Sequence, residues 1–498
     1  MTEETWTYAT AGELTAALRA GKVSSVELTE EAIGRIERED GALNAICAPD
    51  FERARDAALA ADRARARGEE RPLLGVPVTV KESYNVAGLP TTWGMPQFRD
   101  HVPAEDALQV ARVKAAGAVV LGKTNVPLGL QDIQTYNEIH GTTVNPWDRT
   151  RTCGGSSGGS AAALAAGFGA LSLGTDIAGS LRTPAHFCGV YAHKPTLHLL
   201  PTRGMVPPHA PALPADIDLA VAGPMARSAR DLTLLLDVMA GPDPLTSGLA
   251  HTLDLPPARH DRLSDFRVLV LDEHPLIPTG ADVRAGLARV VDALTAGGAR
   301  IERHSPLLPD LADAAELYTL LLSSAVAVQF PIGSQQQLAA QVAGLDEDDH
   351  SLAAARLRGL LLSHRDWLGA DRRRELHRHA WRQLFAEFDA VVAPITPTAA
   401  FPHDQDPDLM NRRITVDGTA HTYFDQLVWA GLATMPGLPA TAVPTGPSAA
   451  GLPVGVQLIG PMYEDRTPLR LAELLEEQLG GFRAPRAPRA PRAPRAPR

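Results

Sequence analysis

The chain has 498 residues, 45% of them hydrophobic, which is enough apolar material for a large interior. Its 47 basic and 58 acidic side chains give a net charge of −11, which disfavours a nucleic-acid partner. No apolar run approaches the ~20 residues of a membrane span, and Glu3 and Glu4 stand where a secretory leader would be basic and apolar.

Cys47, Cys153 and Cys188 have neither a disulfide-framework pattern nor zinc-ligand spacing, so buried, inert thiols and a cytoplasmic location are expected. Residues 8–70 read as helices. Thr10 with Glu13, and Ser24 with Glu27, have capping-box spacing, and Phe51–Arg67 is rich in alanine and arginine. Leu74–Lys81 (LGVPVTVK) reads as a strand that delivers a lysine at its end. Ala104–Ala116 then reads as a helix, Ala118–Leu121 as a strand, and Ser157 opens a small-residue helix that leads to a strand at Ala170–Leu173.

Alternation continues with helices at Asp231–Met239 and Asp282–Leu294 and strands at Phe266–Leu271 and Ala299–Glu302. Residues 308–388 read as a helical insert interrupted near Pro331-Ile332-Gly333. Strands follow at Asp389–Ile395 and Val454–Ile459, and a helix at Leu469–Leu479. The expectation is one α/β domain over residues 1–483, with a core at 71–240. Its central sheet should be mixed, mostly parallel, and covered by helices on both faces. From Ala484 the tripeptide Ala-Pro-Arg repeats five times, a composition that reads as a disordered extension.

The densest chemical signal is Gly154–Thr196, where Ser156-Ser157 and Ser180 sit among glycines and alanines. Amide hydrolysis needs a nucleophile, a base, an acid for the leaving amine, and donors for a tetrahedral oxyanion. In Asp176-Ile177-Ala178-Gly179-Ser180 the small residues leave the backbone N–H groups unobstructed, which makes Ser180 the best nucleophile candidate. Lys81, ending an apolar strand, is a candidate base, because desolvation makes an ammonium give up its proton.

These segments resemble the amidase signature family of serine hydrolases. GVPVTVKES is similar to the family's lysine strand and implies Lys81 as base. GGSSGGSAA implies Ser156 as the bridging serine beside a cis peptide at Gly155, and GTDIAGSLR implies Ser180 as nucleophile. The resemblance further implies an oxyanion hole from the N–H groups of Ile177, Ala178, Gly179 and Ser180, supported by Ser157, Asp176 and Arg182. KAAGAVVLGKTNVP, VAGPMARSARDL, FDAVVAPITPTAAFPHD and GLPVGVQLIGPMYEDRTPL extend it over about residues 8–482. Ala178 departs from the family's usual glycine, which bears on acyl-group range.

Two other motifs are formally present. Gly117–Thr124 (GAVVLGKT) fits a phosphate loop, but its variable residues are themselves strand-like and Asn125-Val126-Pro127 spoils the following helix. Gly155–Gly159 (GSSGG) fits a nucleophile elbow centred on Ser157, but polar, turn-rich Asn145–Cys153 precedes it where a strand is needed.

The reading is therefore an amidase that uses no metal and no cofactor on a small-molecule amide, with no membrane or nucleic-acid partner and a homodimer as the assembly considered. Carbamate or aryl-acylamide cleavage uses the same acyl chemistry. A glutamyl-tRNA amidotransferase A-type subunit is a further alternative. That subunit type carries a basic Glu-Val-Lys-Arg-Arg stretch where this chain has Leu360-Leu361-Leu362-Ser363-His364-Arg365-Asp366. A binding protein without catalysis is disfavoured by the intact lysine and serines. Leu317, Leu320, Leu321 and Phe330 suit either an apolar acyl pocket or helix core, with core preferred.

Overall fold

A computed structural model describes residues 6–208, 210–329 and 335–485, and alternating valine or leucine positions mark several of its strands, such as Pro77–Lys81, Leu171–Asp176 and Pro453–Ile459. In chain order the strands are β1 (Ile46–Pro49), β2 (Pro77–Lys81), β3 (Val119–Thr124), β4 (Tyr136–Asn137) and β5 (Gly141–Thr142). β6 (Leu171–Asp176), β7 (Tyr191–Lys194), β8 (Val221–Ala226), β9 (Arg267–Val270) and β10 (Arg300–Glu302) follow. β11 (Ala390–Pro394), β12 (Arg413–Val416), β13 (Thr419–Thr422), β14 (Ala440–Pro447) and β15 (Pro453–Ile459) complete the set. Eleven of them form one sheet in the order β1-β3-β2-β6-β8-β7-β14-β15-β11-β9-β10, while β4–β5 and β12–β13 are separate two-stranded ribbons.

The sheet is mixed, but it is not mostly parallel. Only β2–β3, β2–β6, β9–β11 and β9–β10 pair in parallel, while the six other neighbouring pairs are antiparallel. The correction comes from the centre, where β7, β8 and β14 lie side by side. Their sequences (YAHK, VAGPMA, ATAVPTGP) are short or contain proline and glycine, features that argue against strand assignment from sequence. Antiparallel neighbours need only short links, as at the turn joining β14 to β15.

Helices cover the sheet, and both anticipated capping boxes form, at Thr10/Glu13 and Ser24/Glu27. Residues 308–388 are helical at Leu311–Val326, Gln335–Ala343, Leu352–Leu360 and His364–Glu387. Phe330, the Pro331–Gly333 interruption and the tail from residue 486 lie outside the described residues. Among the described residues no helix is long and apolar enough to cross a membrane.

Strand period explains how the lysine reaches its place. Val76, Val78 and Val80 pack into the large core shared with Leu232, Leu236, Leu471 and Leu475. The intervening positions, Thr79 and Lys81, therefore face the opposite side, where the helix Gly158–Ala166 packs. That helix is buried along its whole length and owes its close fit to missing side chains. A Cβ at Gly158 would lie 2.2 Å from Thr135 Oγ1, and one at Gly159 would lie 2.4 Å from Asn125 N.

The neighbour at Gly159 is backbone, which cannot swing aside. Gly159→Ala should destabilise the fold by about 1–3 kcal/mol, whereas Gly41→Ala, with open space around it, should not. Urea unfolding of the two variants checks this, and equal midpoints would show that the helix can shift to accept a methyl.

Candidate active site

β2 ends inside the protein, and Lys81, its last residue, is fully buried. Its Nζ donates to Ser156 Oγ at 2.7 Å and to Thr175 Oγ1 at 2.7 Å. Loss of hydration dominates the ammonium's surroundings. Burial lowers its pKa from 10.5 to about 7, against weaker opposing effects of Asp176 and Glu82. At that value the amine is substantially neutral near pH 7 and has a lone pair available for a proton.

Ser156 lies in the turn before the small-residue helix, and the Gly155–Ser156 peptide is cis. Gly155 has no room for a side chain, since a Cβ would stand 2.5 Å from the Asp132 carbonyl. The two serine segments meet through the main chain: Ser157 N–H donates to the Ser180 carbonyl at 3.1 Å. Ser157 Oγ donates to Thr175 O at 3.2 Å and accepts from Thr175 N at 3.3 Å, so it braces the turn. Ser156 and Ser180 are both buried, and no hydrogen bond joins their hydroxyls directly.

The loop after β6 is organised by Asp176. Its carboxylate accepts from Gly179 N at 2.9 Å, from Leu181 N at 3.1 Å, and from Arg182 Nε and Nη2 at 3.1 and 3.0 Å. Burial alone would push this carboxyl up, but Arg182 and the backbone donors hold it below its ordinary value. Arg182 also donates to Gln457 Oε1, Thr434 Oγ1 and the Ala430 carbonyl. Gly179 adopts a left-handed φ of 88°, and a Cβ there would meet Thr183 Oγ1 at 2.9 Å.

The expected oxyanion donors differ in their partners. The Gly179 N–H is taken by Asp176, whereas those of Ile177, Ala178 and Ser180 have no acceptor among the described residues. Ile177 and Ala178 are half-buried. Sequence reasoning overlooked Thr175, Tyr318 and Gln457. Thr175 lies inside GTDIAGSLR and Gln457 inside GLPVGVQLIGPMYEDRTPL, so both stand in legible motifs although their contacts do not follow from them. Tyr318, whose hydroxyl donates to Ile177 O at 3.0 Å, arrives from a distant segment without any local pattern. Leu317 and Leu321 are core residues packed with Tyr318 and Met435, and Leu320 borders the same cluster.

A low lysine pKa does not by itself mark the site. Lys194 is also buried and is lowered to about 7, chiefly by desolvation and then by Arg182, yet its Nζ donates to the Pro195 carbonyl. Only Lys81 combines the shift with a serine contact. Lys123, from the phosphate-loop pattern, is buried in β3 and donates to Thr91 Oγ1 and Pro90 O, so it faces no open phosphate site. Among the described residues, no three His, Cys, Asp or Glu side chains are grouped to hold a metal.

The chain is also similar to known proteins over most of its length. The family model described as Amidase matches residues 27–469. The chain is 34% identical over 478 residues to the A-type subunit of the glutamyl-tRNA(Gln) amidotransferase of Roseiflexus sp. (strain RS-1), covering 92% of this chain and 93% of that protein. It is 33% identical over 473 residues to the indoleacetamide hydrolase of Bradyrhizobium diazoefficiens, covering 93% and 85%. A solved inhibitor-bound structure, from work on the evolutionary origins of an s-triazine catabolic enzyme, superposes with a TM-score of 0.80. It is 31% identical, with 95% of this chain and 99% of that chain covered.

The buried lysine also has a stability signature. Its folded pKa of about 7 lies below the ordinary 10.5, so between those values the unfolded chain binds more protons and stability rises with pH. Lys81→Met should therefore raise the melting temperature, with a full gain at and below about pH 7 that shrinks toward pH 10. Melts across that range check it, and a gain that does not depend on pH would mean the lysine titrates normally.

Proposed function

The chain belongs to the amidase signature family, whose members are hydrolases acting on amide carbon–nitrogen bonds, and we propose that it cleaves a small carboxamide through an ester on Ser180. The observation that carries this reading is the 2.7 Å contact from the buried Lys81 amine to Ser156 Oγ, beside the turn bonded to Ser180.

In the proposed sequence, neutral Lys81 accepts the Ser156 proton while Ser156 accepts that of Ser180. Ser180 Oγ then bonds to the amide carbon. The negative charge that develops on the carbonyl oxygen is met by the N–H groups of Ile177, Ala178 and Ser180, each such donor typically contributing ~3 kcal/mol. As the carbon–nitrogen bond breaks, the proton returns through Ser156 to the leaving nitrogen, releasing ammonia or an amine. Water then gives its proton to the same relay, attacks the ester and frees the acid. Asp176 and Arg182 hold the loop, and Ser157 holds the turn.

A second reading is supported by the 34% identity to an A-type amidotransferase subunit: the chain would then work within a complex. The segment after the helix Leu352–Leu360 lacks the basic stretch of that subunit type, which supports free-standing hydrolysis. Hydrolysis of a primary amide by the purified chain alone separates the two.

Ser180→Ala should abolish turnover with the thermal melt unchanged, and wild-type enzyme quenched during turnover should carry the acyl mass on Ser180. Retained activity in a clean Ser180→Ala preparation would defeat the assignment. Because Lys81 must be neutral to accept a proton, kcat/KM should rise with pH to a plateau above about pH 7.

Ala178 tests the acyl side. Its methyl adjoins the free N–H groups, so Ala178→Gly should favour a bulky aryl amide over a small aliphatic one, by about tenfold in the ratio of kcat/KM. An equal change for both amides would show that the methyl does not shape the acyl pocket.

A further inference from the structure

Tyr318 lies 141 positions from the residue it touches. It belongs to the helix Leu311–Val326, is buried, and packs with Leu219, Leu317, Leu321 and Met435 against half-buried Ile177. Its ring packs closely against Gly431, where a Cβ would come within 2.6 Å of Tyr318 Cδ1. The close packing and the hydroxyl's hydrogen bond together hold the ring in place. Its hydroxyl donates to the Ile177 carbonyl at 3.0 Å.

That carbonyl is one end of a peptide whose other end is the Ala178 N–H. In a trans peptide the two groups point in opposite directions, so fixing the carbonyl toward Tyr318 directs the N–H away from it. Donation to a peptide oxygen also draws electron density from its nitrogen and strengthens the N–H as a donor, by about 10–30% per bond. Asp176 holds the other side of the same loop through the N–H groups of Gly179 and Leu181. The loop is thus anchored at a carbonyl by a phenol and at two amides by a carboxylate.

We infer that Tyr318 is a positioning residue for the oxyanion: its hydroxyl orients and polarises the Ile177–Ala178 peptide so that the Ala178 N–H meets the charge formed during Ser180 attack. The inference rests on the proposed Ser180 chemistry. It requires a hydroxyl that stays protonated, and burial pushes the phenol well above its ordinary range. The role is therefore independent of pH where Lys81 titrates.

The experiment compares the wild-type enzyme with Tyr318→Phe on one primary amide. kcat should fall about tenfold with KM within about twofold, since the lost interaction acts on the transition state. Affinity for an arylboronic acid, which forms a charged tetrahedral adduct with the serine, should weaken by the same factor, while affinity for the product carboxylic acid stays unchanged. The pH midpoint of kcat/KM should not move. Replacement of Tyr318 by 4-aminophenylalanine, which keeps a weaker donor at the same ring position, should give an intermediate kcat, and 3-fluorotyrosine, a stronger donor, should match or exceed the wild type. This donor series reads the effect even if the phenylalanine variant does not fold.

A flat kcat across the series, or a raised KM at constant kcat, overturns the inference and makes Tyr318 a packing or ground-state contact. The two readings fail separately: a wild-type enzyme that forms no Ser180 ester overturns the proposed chemistry and this role with it. A wild-type ester with unchanged kcat in Tyr318→Phe overturns this role alone.

Discussion

The proposed chemistry depends on one desolvated amine. An ammonium in water holds its proton too tightly to serve as a base near neutrality, and this fold removes the water rather than adding a repelling cation. Lys81 ends a strand inside the protein and, among the described residues, finds only the hydroxyls of Ser156 and Thr175 as hydrogen-bond partners. Burial lowers its pKa to about 7 against the pull of Asp176 and Glu82. Lys194 shows that desolvation alone is insufficient, because its amine is spent on a backbone carbonyl. The proposed relay requires the shift and the serine together.

Bringing three separate segments to that amine requires backbones to approach closely. Glycines at 155, 158 and 159 let the serine turn and its helix press against residues 125–135, where any Cβ would collide with backbone or buried side chains. The loop after β6 has the opposite problem, since it must leave donors unpaired beside a site without collapsing. A buried ion pair resolves it: Arg182 and Asp176 are costly to desolvate, yet their remaining hydrogen-bonding capacity is satisfied by Gln457, Thr434, Ala430 and the loop's own amides. The free donors belong to the loop that this pair and Tyr318 both hold.

Much of this was legible in the sequence because the site is built from local motifs. The lysine strand follows from valine alternation with a charged end, and the serine turn from glycine and alanine density. The sheet's antiparallel centre was not legible. β8 carries Gly223 and Pro224, and β14 carries Pro444, Gly446 and Pro447, so neither advertises a strand. Contacts across long separations were equally silent: Tyr318 stands in no motif, and Gln457 stands in one that does not reveal that the fold carries it to the Ile177–Arg182 loop. The Gly179 N–H shows a related limit, since the spacing shows which amides lie near Ser180 but not that Asp176 folds back to accept from one of them.

The central claim is that Lys81 gives up its proton near pH 7, and it can be read directly because the chain contains only five lysines. NMR titration of enzyme carrying isotope-labelled lysine side chains, with the Lys81 signal assigned by its loss in Lys81→Met, should show that amine titrating near pH 7. A Lys81 midpoint close to the ordinary 10.5 would contradict the account, since the amine would then be charged wherever the enzyme works and could accept no proton from Ser156.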